Sequence, residues 1–222
     1  MVSDATAAYF LSSQGERLFL GKFVTAAELG CFSLALMMSS VPANGISQLV
    51  NQIFLPMISS SARTSRSRTL RDFSRARRGF FVLAVLTGAG FVLCSQPAVR
   101  LLLPPKYAMT GWMLQLLGIR VGLDMFAAPA TSVVLAYGRS RYSFSANVTR
   151  LVLMSIGLFV GFTYFGLREA VLSLVIAQAL SYIPLMSGLN KLLSEVSRRE
   201  IAYYAALLVV LVVTAAVSGI SI

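Results

Sequence analysis

Histidine is absent from all 222 residues of the sequence. This absence removes the usual metal ligand of proteins and the side chain that most often acts as a base near neutral pH. Only two cysteines are present, Cys31 and Cys94, and both lie within apolar runs, which gives a disulfide framework or a metal site little to build on. We therefore predict neither a bound metal ion nor a cofactor.

Charged residues are also scarce, and most of them are basic. Charged residues make up 12% of the chain, with 19 basic against eight acidic side chains, whereas soluble domains average about 25% charged residues. Hydrophobic residues make up 57%, and no stretch between apolar segments is long enough for a soluble domain. The composition predicts an all-α, polytopic transmembrane helix bundle that occupies residues 1–222 as a single unit.

A spanning helix needs about 20 apolar residues, and the chain offers room for about seven of them. We predict spans at 4–23, 29–58, 79–96, 110–137, 143–165, 169–190 and 201–221. Polar residues interrupt the first span, and we expect Pro97, Pro104 and Pro105 to stop regular helix at the end of the third.

Seven arginines and one acid, Asp72, lie between the second and third spans, in residues 59–79. Such a run alone indicates nucleic acid, but between two apolar spans it predicts a basic amphipathic loop on the cytoplasmic side, with no nucleic-acid partner. Apolar residues at helical spacing predict an interfacial amphipathic helix in this segment. Arg71, Arg75 and Arg78 share its other face, which predicts contact with anionic membrane lipids. The alternative is that the loop only fixes the topology.

The distribution of Lys and Arg predicts the orientation. One side of the membrane receives twelve of the 19, while five fall on the other side and two, Arg120 and Arg150, lie within spans. The positive-inside rule then places the arginine-rich loop and the N-terminus in the cytoplasm. We predict a multi-pass membrane protein.

Asn44, Gln48 and Asn51 share one face of the second span, just beyond Pro42. Because amides in hydrocarbon need partners, this stripe is expected to face the bundle interior or a water-filled cavity. Two interpretations remain open, namely contact with the hydroxyl groups of a sugar and hydrogen bonding between neighbouring helices.

The fourth span carries Arg120 and Asp124 near its middle, four residues apart and able to meet on one helix face. Charges at this depth usually mark a pathway or a paired site. Arg120 is a candidate phosphate ligand, and Asp124 a candidate for orienting it or taking a coupling proton. The alternative is a self-neutralised structural pair.

The fifth span contributes Arg150, either as a further ligand or as a side chain that extends back to the membrane surface. Gln178 stands alone in the sixth span and is interpreted as a packing residue.

Several motifs resemble those of polysaccharide flippases, the O-antigen and exopolysaccharide exporters of the multidrug/oligosaccharidyl-lipid/polysaccharide superfamily. The segments GERLFLGKF at 15–23 and ELGCFSLA at 28–35 resemble their G-D-R-hydrophobic-L-G … L-G-x-Y-x-x-A pattern, with Glu16 in place of Asp and Phe32 in place of Tyr. FLPMIS at 54–59, the segment 103–117 and LAYGRSR at 135–141 resemble three later motifs. The resemblance covers about residues 5–200 and is to the C-terminal half of these proteins only.

The resemblance implies one lobe of a two-lobe transporter that moves undecaprenyl-pyrophosphate-linked oligosaccharide across the bacterial inner membrane by alternating access. It also implies a missing N-terminal lobe or a second chain as partner. Arg120, Asp124, Arg150, Asn44, Gln48 and Asn51 are the residues we expect to bind substrate.

Three other functions compete with this interpretation. An enzyme is disfavoured because the longest outer loop, residues 96–109, contains no Asp, Glu or His, so we predict no catalytic residue. A drug/cation antiporter of the same superfamily would need more carboxylates, since arginines repel its substrates. An inactive or scaffolding half-transporter is the third alternative.

Overall fold

The computed structural model describes residues 20–21, 24–192 and 197–218. Helix α1 (Ala26–Leu49) continues through a π-helical turn (Val50–Phe54) into α2 (Leu55–Thr64). It is followed by α3 (Arg66–Leu102), α4 (Thr110–Ala136), α5 (Ser140–Val160), α6 (Leu167–Leu192) and α7 (Ser197–Val217). Short 3-10 and π-helical turns occupy Pro105–Tyr107 and Gly161–Phe165, and the described segments contain no strand.

Six helical segments within these residues are long and apolar enough to cross a membrane: Ala26–Thr64, Ser67–Leu102, Thr110–Ala136, Ser140–Phe165, Leu167–Leu192 and Arg199–Val217. They correspond to the second to seventh predicted spans. The first predicted span, 4–23, lies almost wholly outside the described residues. The prediction of an all-α polytopic bundle is confirmed, and the chain is a multi-pass membrane protein.

Local sequence signals explain where several helices begin and end. Thr25 caps α1 through a capping box, in which its hydroxyl accepts the Glu28 backbone N–H at 3.3 Å while the Glu28 carboxylate accepts the Thr25 backbone N–H at 2.9 Å. The π-helical turn ends at Phe54, two residues before Pro56, which has no N–H to continue the regular hydrogen-bond ladder. Ser65 is extended and caps α3 by accepting the Arg68 backbone N–H at 3.2 Å.

Two boundaries differ from those expected. The basic segment 59–79 is helical except at Ser65, so the third span continues a helix that has already begun at Arg66. The prediction that Pro97 stops α3 is wrong, since the helix ends at Leu102, two residues before Pro104. Proline removes a single backbone donor, and transmembrane helices tolerate that loss.

The centre of the bundle is α4, in which 19 of 27 residues are buried. It packs against α1, α3 and α6, with smaller contacts to α5 and α7. A Cβ atom at Gly122 would lie 2.9 Å from the Ala84 carbonyl oxygen and 3.3 Å from Gly88 Cα. Glycine therefore permits the close approach of α3 and α4, as small residues do between transmembrane helices.

Successive helices run in opposite directions, so their termini collect at two ends. The end formed around Thr64, Gly138 and Leu192 is called the basic end here, and the other is called the opposite end. The outer surface between them is largely apolar, with Val41 70% and Leu101 86% exposed. Such a surface suits contact with lipid.

Candidate functional site

Three polar side chains from three helices meet near the middle of the bundle. Gln178 on α6 donates a hydrogen bond from Nε2 to Asp124 Oδ1 on α4 at 2.8 Å. Arg150 on α5 donates from Nη1 to Gln178 Oε1 at 3.3 Å, and the same nitrogen lies 3.8 Å from Asp124 Oδ1. We call Asp124, Arg150 and Gln178 the central polar cluster.

The members of the central polar cluster differ in exposure. Arg150 is 8% exposed and Gln178 4%, whereas the Asp124 side chain is 50% exposed on the surface of the bundle. A buried guanidinium at this depth requires a compensating negative charge, which Asp124 supplies. The exposed part of the Asp124 carboxylate can therefore contact a ligand or water, while Arg150 lies on its buried side.

The sequence-predicted charges are therefore partly brought together. Asp124 and Arg150 are neighbours across the α4–α5 contact, and Arg120 lies half-buried on α4 one turn before Asp124. Arg150 points into the bundle rather than towards the membrane surface, which disfavours the expectation that it extends back to the basic end.

Gln178 was interpreted as an isolated packing residue, but it bridges the two charged side chains. The feature of the sequence that could have revealed this bridging role is the depth of Gln178 along its helix. Gln178 is the twelfth of 26 residues in α6, while Asp124 and Arg150 also stand near the middle of their helices. Polar side chains at the same depth in adjacent transmembrane helices are expected to form hydrogen bonds with each other.

The predicted amide stripe lies on the surface of the bundle. Asn44, Gln48 and Asn51 are all exposed, because the face of α1 that packs inward carries Phe32, Ala35 and Ser39 instead. The stripe therefore does not face the interior of this bundle, and the other expectation, a water-filled cavity, stays a prediction. Asn51 falls in the π-helical turn, a feature that often occurs at functional sites.

A second polar cluster, which the sequence did not reveal, joins four helices towards the basic end. Arg77 on α3 donates to the backbone carbonyl of Phe126, to the carboxylate of Glu200 and, at 2.7 Å, to Tyr182 Oη. Tyr182 in turn donates to Glu200 Oε2 at 2.9 Å. The Arg77 and Glu200 side chains are 2% and 1% exposed.

Aromatic rings enclose this buried ion pair. The Arg77 guanidinium carbon lies 3.5 Å from the centroid of the Phe126 ring, and Tyr182 stacks on Tyr204 with centroids 4.6 Å apart. Such a guanidinium–ring contact is favourable when it is shielded from water. Arg77 therefore belongs to the bundle interior, unlike the exposed Arg71, Arg75 and Arg78 of the basic segment.

The three arginines predicted to meet membrane lipids are exposed. Arg71, Arg75 and Arg78 point away from the bundle, while Phe73 and Phe80 on the same helix are buried. Their position at the basic end is compatible with contact to lipid headgroups, which remains a prediction. Among the described residues, no group of three His, Cys, Asp or Glu side chains is arranged to hold a metal ion.

Residues 4–110 match the model of a family described as polysaccharide biosynthesis protein. The match supports a polysaccharide flippase-type family. It includes the segments 15–35 and 54–59, on which much of the sequence resemblance rests. Neither a curated protein nor a solved structure matches the chain. Together with the helical membrane bundle, this family points to polysaccharide synthesis or export, and to a transporter-type protein rather than an enzyme.

Proposed function

We propose that this chain translocates undecaprenyl-pyrophosphate-linked oligosaccharide across the bacterial inner membrane by alternating access. The observation that carries the proposal is the family match over residues 4–110, in a bundle whose described residues form six helical segments able to span a membrane. A lipid-linked oligosaccharide has a sugar head too polar to cross lipid unaided and a tail that can stay in the bilayer.

The central polar cluster and the neighbouring Arg120 supply suitable chemistry for the anionic part of this substrate. Arg120 and Arg150 offer guanidinium groups, which form charge-assisted bonds to phosphate oxygens. Asp124 neutralises Arg150 in the absence of substrate and exposes a carboxylate that can take a coupling proton. Substrate phosphate would then compete with Asp124 for the arginine.

The side-chain amides of the stripe are suited to hydrogen bonds with the hydroxyl groups of the sugar. Asn44, Gln48 and Asn51 are exposed near the middle of the Ala26–Thr64 span, where contact with lipid tails would leave their amides without partners. A water-filled cavity between this bundle and a second lobe would satisfy them. We propose that a missing N-terminal lobe, another chain or a second copy of this one supplies that lobe.

A drug/cation antiporter of the same superfamily is the alternative that Asp124 favours, because a half-exposed carboxylate in mid-span is a binding group for cations. Arg120 and Arg150 close to it would repel a cationic substrate. We therefore give preference to the anionic lipid-linked substrate.

The test is transport of a fluorescent lipid-linked oligosaccharide in vesicles that contain the chain and its partner lobe. Asp124→Asn and the double variant Asn44→Ala/Gln48→Ala should slow transport about tenfold or more, on the scale of about 1.5–3 kcal/mol for a charged hydrogen bond. Arg100→Gln, an exposed change at the opposite end, should not. Wild-type rates in both site variants would refute the site, and flux of a cationic dye instead of the oligosaccharide would refute the substrate.

A further inference from the structure

A pocket of about 650 Å³ opens at the basic end, between the α4–α5 turn and the last turns of α6. Three basic side chains line it, and none of its lining residues within the described chain is acidic. Serine hydroxyls and one tyrosine ring complete the wall. The six side chains that define this pocket, called the basic pocket here, are Arg139, Arg141, Tyr142, Ser145, Ser187 and Lys191.

The turn between α4 and α5 places the two arginines. Gly138 adopts a φ of 67°, its N–H donates to the Leu135 carbonyl at 2.9 Å, and the Arg139 N–H donates to the Val134 carbonyl at 3.0 Å. This pair of bonds is a Schellman motif, which ends α4 and starts α5 directly afterwards. Arg139 consequently lies at the N-cap of α5 and Arg141 in its first turn, where the helix dipole adds positive potential.

The contact between α5 and α6 places the third basic group. The Lys191 Nζ atom lies 5.8 Å from the centroid of the Tyr142 ring, within the range of a cation–π contact. Tyr142 packs directly on Gly188, where an added Cβ would lie 2.5 Å from Tyr142 Cγ. Lys191 is thus held on the side of α6 that faces Arg139 and Arg141.

We propose that the basic pocket binds a phosphate group, either the headgroup of an anionic membrane lipid or a free phosphate or pyrophosphate. Among the described residues of the wall, no acidic side chain offsets these three cations, so the wall carries a positive potential. Arginine pairs are suited to bidentate phosphate binding, and basic pockets between transmembrane helices are known hosts for anionic lipid headgroups. The pocket is separate from the central polar cluster, which lies near the middle of the helices, so the proposal does not depend on the transported substrate.

The test uses the purified full-length chain in neutral detergent and native mass spectrometry with phosphatidylglycerol, phosphatidylcholine or inorganic pyrophosphate. We expect one tight phosphatidylglycerol per chain and at least tenfold weaker binding of phosphatidylcholine. The triple variant Arg139→Gln/Arg141→Gln/Lys191→Gln should weaken phosphatidylglycerol binding about a hundredfold, at about fivefold for each basic side chain. The matched control Arg71→Gln/Arg75→Gln/Arg78→Gln removes the same charge from the same end of the bundle. It should change the affinity for phosphatidylglycerol by less than about threefold.

Two further arms complete the test. Competition by pyrophosphate would identify the phosphate group itself as the ligand, whereas binding of phosphatidylglycerol without such competition would identify a lipid headgroup. The charge-retaining variant Arg139→Lys/Arg141→Lys should keep most of the binding even if the triple variant unfolds. Equal losses in the triple variant and its control, or no saturable one-to-one binding of either anion, would overturn the proposal.

Discussion

The buried ion pair between Arg77 and Glu200 allows the sharpest prediction about stability. Replacing Arg77 by Met keeps a long unbranched side chain beside Phe126 but leaves the Glu200 carboxylate buried with only Tyr182 as a described donor. Breaking a buried pair by removing one partner typically costs about 3–5 kcal/mol, because the remaining charge is uncompensated. The loss of the guanidinium–ring contact with Phe126, 3.5 Å away, adds up to about 2 kcal/mol.

We therefore expect Arg77→Met to lower the free energy of unfolding by about 3–5 kcal/mol or more. At about 1.4 kcal/mol for each factor of ten, the unfolded population would rise by about two to four orders of magnitude. The double variant Arg77→Met/Glu200→Leu should recover much of this loss, since removal of both charges leaves neither uncompensated.

The measurement is reversible unfolding in mixed micelles, followed through the fluorescence of the single tryptophan. Arg75→Met is the matched control, because Arg75 lies on the same helix two residues away and is exposed. It should change the free energy of unfolding by less than about 0.5 kcal/mol. Equal losses for Arg77→Met and Arg75→Met, or a double variant less stable than both single variants, would refute the reasoning.

Three other predictions concern packing, the helix turn and orientation. Gly122→Ala should destabilise the bundle by about 1–3 kcal/mol through overpacking, while Gly90→Ala, with open space around the added Cβ, should be neutral or stabilising in the same unfolding assay. Gly138→Val should lower the free energy of unfolding by about 1–2 kcal/mol, because the φ of 67° at this position is unfavourable for a residue with a side chain. Gly138→Asn should lower it less, and circular-dichroism melts compare the two variants. In a cysteine-free background, a cysteine at Ser67 should be labelled only from the cytoplasm and one at Ala108 only from outside; the reverse pattern would contradict the predicted orientation.

Hydropathy and length were sufficient to predict the six described spans, because burying about 20 apolar residues in lipid dominates other local preferences. The boundaries were less predictable. The start of α3 at Arg66 rather than near 79 follows from the Ser65 cap and from the good helix propensity of arginine, which polarity alone does not reveal. The continuation of α3 past Pro97 follows from the tolerance of transmembrane helices for a lost hydrogen bond.

The sequence indicated Asp124 and Arg150 as functional candidates because charge is rare at that depth. It could not reveal their partner Gln178, 54 residues from Asp124, since the pairing depends on how α4 and α6 pack. Arg77 was hidden for a related reason, because its acid Glu200 is 123 residues away and six other arginines surround it in sequence. A nearby clue was available, namely the helical spacing that places Arg77 on the same face as Phe73 and Phe80.

The most direct test of the proposed function locates the lipid-linked oligosaccharide in its host cell after this chain is depleted. Leaflet-specific labelling of the sugar distinguishes transport from synthesis. The proposal predicts that the oligosaccharide is still made but accumulates in the cytoplasmic leaflet, and that wild-type protein, but not Asp124→Asn, restores its appearance in the outer leaflet. Unchanged movement between the leaflets, or failure to make the oligosaccharide at all, would contradict the proposal.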